Sequence, residues 1–149
     1  MIRIQQKDFD SGEEYRALRA RSRSPGAIVT FCGLVRDVSD RQSITAMELE
    51  HYPGMTEKSL EETLEQARQR WQVDGATIIH RIGKLLPEEQ IVFVGVSSAH
   101  RREAFAACEF IMDFLKTRAP FWKKEFTANG SHWVEAKNTD AEAAQRWRS

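Results

Sequence analysis

At 149 residues the chain is long enough for one domain that buries about two-thirds of its unfolded surface around a single core. Its 22 basic and 22 acidic side chains, 30% charged and 41% hydrophobic residues are those of a folded protein and exclude a disordered tail. A net charge of zero leaves no long-range field to gather nucleic acid or an anionic membrane, so neither is expected as a partner and anion recognition must come from local clustering.

The opening Met1-Ile2-Arg3-Ile4-Gln5 alternates apolar and polar residues and lacks an apolar signal region, which predicts a first strand and a cytoplasmic protein. Ser11-Gly12-Glu13-Glu14 has the spacing of a capping box for a helix to about Arg23, with Tyr15, Ala17 and Leu18 as a modest apolar face; Ser24-Pro25-Gly26 stops it. The arginines of that helix read as a solvated face. Ala27 to Val35 is apolar and β-branched enough for a buried strand, in which Gly33 marks a bulge or a close backbone approach. The polar stretch Asp37 to Ser43 reads as a mobile loop. Ile44 to Tyr52 predicts a second strand and Pro53-Gly54 a turn. Thr56 then starts a helix whose Leu60, Leu64, Ala67 and Trp71 form one apolar stripe.

Ala76 to Ile82 and Ile91 to Ser97, on either side of Pro87-Glu88-Glu89, predict an antiparallel pair. Ile91 to Val96 is the longest continuous apolar run, far short of the roughly 20 residues of a membrane-spanning helix. The longest helix is expected from about Ala99 to Arg118, capped by Ser98, with Ala104, Cys108, Ile111 and Leu115 on one face and Ala107 and Phe114 beside it. After Pro120, Phe121 to Thr127 and His132 to Lys137 read as a hairpin closed on Asn129-Gly130, which sets Phe126 opposite Trp133 and Lys124 opposite Glu135. Asp140 to Trp147 reads as a short helix. Cys32 and Cys108 lie in apolar segments and are expected as buried, reduced thiols. From the residues alone the fold is a set of mixed, mainly antiparallel strands with two packed helices, in a single domain.

There is no Gly-rich nucleotide loop, nucleophile elbow, paired Cys-x-x-Cys or His-Glu-x-x-His, and His51, His80, His100 and His132 are scattered, so no metal and no cofactor is expected. What remains is basic. His100-Arg101-Arg102 falls in the first turn of the long helix, where the macrodipole already carries about half a positive charge and each cation costs roughly 0.3 to 1 kcal/mol without an anion nearby. Such a site would hold a phosphate well, although the arginines could equally point to water with Glu103 offsetting them. Lys116 and Arg118 end that helix, where cations are favourable in any case. Arg36, after an apolar strand and before a polar stretch, is either ligand-facing or an ordinary surface residue.

Five separated blocks extend this reading: Phe31-Cys32-Gly33-Leu34-Val35-Arg36, Leu49-Glu50-His51-Tyr52-Pro53-Gly54-Met55, His80-Arg81-Ile82-Gly83, Val94 through Arg101, and Phe110 through Lys123. In order and spacing they resemble the large, catalytic subunits of molybdopterin synthase, the MoaE family, over nearly the whole chain. The resemblance implies an α+β, hammerhead-like fold with a mixed, mainly antiparallel sheet, two main packed helices and a C-terminal β-hairpin. It implies a sulfurtransferase of molybdenum cofactor biosynthesis that converts cyclic pyranopterin monophosphate to the dithiolene molybdopterin. Both sulfurs would come from the thiocarboxylated Gly-Gly terminus of a small partner subunit. It makes Lys116 and Lys123 the catalytic lysines. Arg36, His100 and Arg101 would bind the substrate's phosphate and pterin, and Leu34, Val35, Lys124, Glu125 and Lys137 would line the same pocket. Phe31, Met112 and Pro120 would be its walls.

His100 and Lys116 stand 16 residues apart on one expected helix, about 24 Å at 1.5 Å per residue. If both serve one substrate, a second copy must supply the His100 end, which gives a two-fold homodimer with shared sites inside a heterotetramer. Two other readings remain open on the residues: a non-enzymatic anion-binding module for phosphorylated metabolites, and a cofactor-free cyclic-phosphate hydrolase using His100 as base.

Overall fold

The computed structural model describes residues 1–39, 42–134 and 138–147. In chain order the elements are β1 (Ile2–Gln5), α1 (Ser11–Arg21), β2 (Ala27–Leu34), β3 (Val38–Ser39), β4 (Gln42–His51), α2 (Met55–Arg70), β5 (Gly75–Arg81), β6 (Gly83–Leu85), β7 (Gln90–Ser98), α3 (Arg101–Thr117), β8 (Phe121–Thr127), β9 (Gly130–Val134) and α4 (Asn138–Gln145). The apolar runs of β5 and β7 sit at the centre of a sheet ordered β1-β5-β7-β2, antiparallel except where β1 runs parallel to β5. Both strands are buried almost throughout because both faces are covered. Ile78, Val92, Val94 and Val96 join Leu60, Leu64, Ala67, Ala107, Cys108 and Ile111 of α2 and α3 in the main core. Ile79 and Phe93 turn the other way onto Phe9, and Leu18 of α1 lies against Gly75 and Gly95.

The second sheet, ordered β3-β4-β8-β9, is antiparallel, with the short β6 pairing β4. Met47, Leu49 and Leu85 from its inner side complete the main core. Among the described residues no helix is long and apolar enough to cross a membrane.

Several expectations change. The stretch read as a mobile loop carries β3: Val38 pairs with Ser43, and Ile44 N–H donates to the Asp37 carbonyl at 2.8 Å. Polar side chains do not prevent a backbone ladder. Asp10, not Ser11, caps α1, accepting from Glu13 N–H at 3.0 Å. Ser98 belongs to β7, paired with Ala27, and His100 is the N-cap of α3 without a side-chain capping bond. Cys108 is buried, but Cys32 is exposed on β2, an edge strand. Gly33 marks a bulge, with the β2 register shifting between Gly33 and Leu34, while the close neighbour there is a side chain and not a backbone: a Cβ would stand 2.7 Å from Val92 Cγ1.

The C-terminal hairpin forms in a different register. Thr127 pairs with Gly130, so the loop is Ala128-Asn129, and Lys124 stands opposite Trp133. Asn129 N–H donates to Thr127 Oγ1 at 3.2 Å, a local turn bond that closes the hairpin one residue early on each strand. The shift preserves side-chain parity, so Lys124, Phe126 and Trp133 still share a face, with Lys124 Nζ 5.6 Å from the centre of each ring. Glu135 lies outside the described residues.

Candidate functional site: a lysine pair between helix and strand

Lys116 occupies the last turn of α3, where the negative end of the helix favours a cation. A tight turn follows, in which Arg118 N–H donates to the Phe114 carbonyl at 2.8 Å and Phe121 N–H to the Ala119 carbonyl at 2.8 Å. The Pro120 carbonyl accepts from Thr56 Oγ1 of α2 at 3.0 Å, pinning the turn. β8 therefore doubles back at once and brings Lys123 close enough to Lys116 for the two ammonium groups to act on each other. Strand alternation places Phe121, Lys123 and Glu125 on the inner side of β8, opposite His51, Leu49 and Met47 of β4. Burial in this row is the main reason the Lys123 ammonium is lowered from 10.5 to about 8, and Lys116 lowers it further. Arg36 also lies within electrostatic range, and Asp140 of α4 opposes the shift.

His80 of β5 lies within electrostatic range of both lysines. Its ring is stacked on Phe121, with centroids 3.8 Å apart and planes 16° from parallel. Nδ1 is 2.8 Å from the Arg81 carbonyl. Burial first, then the fields of Lys123, Lys116 and His51, lower its pKa from 6.5 to about 4, so the imidazole is neutral. Glu125 is 5% exposed, and its Oε1 has no hydrogen-bond partner among the described residues; His132 Nε2 stands 3.5 Å away.

The other expected residues divide by place. Arg36 follows the end of β2 at the lysine end of the molecule. The neighbouring Val35 is buried and anchored to the 86–89 turn: its N–H donates to the Glu89 carbonyl at 2.9 Å, and its carbonyl accepts from Glu88 N–H at 2.8 Å. Phe31 and Leu34 are exposed at 40% and 52%. Met112 stands one turn before Lys116, half-buried against the core, and Pro120 is half-buried in the turn. Lys124 points to the opposite face of β8 from Lys123, so only its backbone adjoins the pair. Lys137 lies outside the described residues. Among the described residues no cluster of His, Cys, Asp or Glu could hold a metal.

The sequence model of the MoaE protein family matches residues 4–118. The chain is 58% identical over 146 residues to the molybdopterin synthase catalytic subunit of Ralstonia nicotianae, covering 98% of this chain and 83% of that one. This chain belongs to the MoaE family. The catalytic subunit of Vibrio cholerae is 55% identical, with 98% and 97% covered. The MoaE structure from Burkholderia ambifaria superposes with a TM-score of 0.84 at 54% identity, covering 99% of this chain and 97% of that one.

In this MoaE-family chain, His100 and Arg101 stand apart from the lysines. They are exposed at the N-terminal end of α3, with Lys116 at the other end, about 24 Å away along the axis. β2 gives a second ruler. Gly26 N–H donates to the Ser98 carbonyl at 2.9 Å, which ties the start of β2 to the His100 end, while Arg36 lies beyond its far end, roughly 30 Å on at strand rise. One chain thus brings together Arg36, Lys116 and Lys123 and leaves His100 and Arg101 remote. His80, His51 and Asp140 drew no role from the sequence; a lone histidine in the apolar strand Ala76 to Ile82 was the available signal, since a buried polar group needs a partner.

Proposed function

We propose that this chain is the catalytic subunit of a molybdopterin synthase, a sulfurtransferase that converts cyclic pyranopterin monophosphate to the dithiolene. The observation that carries the reading is the Lys116–Lys123 pair, with Lys123 lowered to about 8. A lysine near that value is mostly protonated at neutral pH and can give up its proton at modest cost, as a general acid must. The thiocarboxylate sulfur of a small partner's Gly-Gly terminus attacks an electrophilic substrate carbon and displaces its oxygen, which leaves protonated; at one carbon that oxygen is the phosphate oxygen whose departure opens the ring. Water then cleaves the acyl–sulfur bond, leaving sulfur on the substrate and a carboxylate on the partner. Lys116 orients the incoming terminus and stabilises developing negative charge; Lys123 supplies the proton. Arg36 clamps anionic oxygens, with the backbone at Leu34, Val35 and Lys124 and the residues Glu125 and Lys137 lining the pocket and Phe31, Met112 and Pro120 walling it. Relatives named catalytic subunits support a second kind of subunit.

His100 and Arg101 come from a second copy, in a two-fold homodimer within a heterotetramer, in the cytoplasm. The edge strand β2, with Phe31, Cys32 and Leu34 exposed, supports a seam between copies. The test is to incubate the chain with the cyclic pterin precursor, with and without a thiocarboxylated small subunit. Dithiolene product only with the partner is expected. Turnover without it would favour a hydrolase, and binding without turnover an anion-binding module.

A further inference from the structure

We propose that His80 is a positioning residue for Lys123: an imidazole held by the Arg81 carbonyl at 2.8 Å and stacked on Phe121 at 3.8 Å, which fixes the strand that carries the ammonium. The inference rests on the reading of Lys123 as an active group and adds the residue that sets its surroundings.

The Arg81 carbonyl only accepts, so the 2.8 Å contact puts the proton on Nδ1 and leaves Nε2 as the lone-pair nitrogen. This bond and 6% exposure hold the ring in one orientation. Its plane then sets where Phe121 rests, and Lys123 follows on the same side of β8. The groups whose fields reach His80 are Lys123 from β8, Lys116 from α3 and His51 from β4. Lys123 in turn faces Lys116, Asp140 of α4 and Arg36. Few side chains suit that place. An imidazolium would add a third positive charge beside two lysines. A carboxylate would pair with Lys123 and hold its proton. An apolar ring would stack but give up the bond to Arg81. A neutral histidine is flat, hydrogen-bonding and uncharged at once.

The experiment compares His80→Asp, His80→Phe and His80→Gln with the parent chain, reading the Lys123 titration by NMR on the full chain alone and kcat and KM in the complete synthase. His80→Asp is expected to move the Lys123 titration upward by about one pH unit or more. His80→Phe keeps the plate and the neutrality but loses the bond to Arg81, and is expected to leave the titration in place and retain more of kcat than His80→Gln. His80→Gln loses the plate and is expected to lower kcat about tenfold at constant KM, as for a misplaced proton donor. The proposal is overturned by a folded His80→Asp chain in which Lys123 titrates as in the parent. Should that variant not fold, equal kcat in the Phe and Gln variants overturns it. The titration needs no substrate, so it tests the coupling even if Lys123 has no part in sulfur transfer; that part is tested separately by turnover of Lys123→Ala.

Discussion

Lys123 has Leu49 as its cross-strand partner on β4, a residue 1% exposed, so the ammonium stands in a row of the sheet that otherwise faces the core. Its pKa falls from 10.5 to about 8, and between those values the unfolded chain holds a proton that the folded chain releases. Stability therefore rises with pH through that window, and the full penalty applies below it. Lys123→Met should raise the unfolding free energy at pH 7 by about 1–3 kcal/mol while abolishing product formation. Denaturant unfolding at pH 7 and above pH 10 checks this; a variant less stable than the parent at pH 7 would contradict it.

His80 makes the corresponding prediction in acid. With its pKa lowered from 6.5 to about 4, the unfolded chain binds a proton in that interval that the folded chain refuses. Stability should be complete above pH 6.5 and fall as pH drops, by on the order of 3 kcal/mol at pH 4. Urea unfolding at pH 7 and pH 4.5 should show a smaller loss in His80→Phe than in the parent.

Gly26 owes its identity to a close approach. A Cβ there would lie 2.1 Å from the Ala99 carbonyl oxygen, a backbone atom that cannot swing aside. Gly26→Ala should cost about 1–3 kcal/mol and displace the segment leading into His100. Thermal unfolding measures the first effect and KM for the pterin precursor, expected to rise, the second.

The C-terminal helix is held by Asp113, which accepts from Trp147 Nε1 at 2.6 Å and Arg146 Nη2 at 3.0 Å. Trp147 also meets Trp71 edge to face at 5.3 Å. Trp147→Ala should cost about 1–3 kcal/mol and loosen α4. Lys123 would then lose the influence of Asp140, which raises its pKa, so its titration should move lower. An unchanged NMR titration would mean that α4 keeps its place without the indole.

Much of the architecture was legible because apolar spacing reports burial directly. Leu60, Leu64 and Ala67 of α2, and Ala104, Cys108, Ile111 and Leu115 of α3, pack as their spacing implied. Hydrogen bonds between backbone groups left less trace. β3 hides in a polar stretch, and β7 runs on through Ser98 because Ala27 and Gly26 extend its ladder. The hairpin moved by one residue on each strand because Thr127 bonds the turn locally, a choice that Asn129-Gly130 does not announce. At the site, the cations were visible as residue types, but their convergence was not. That Lys123 faces inward and Lys124 outward depends on the register of β8 against β4, and the stacking of His80 on Phe121 joins strands far apart in the chain.

The account stands most directly on the claim that the two ends of α3 serve one substrate from different copies. Mixing His100→Ala chains with Lys116→Ala chains, each inactive alone, should restore about a quarter of the parent's dithiolene formation, because half the dimers of a random mixture carry one intact site of two. No activity in a mixture shown to contain the hybrid dimer would contradict the shared site.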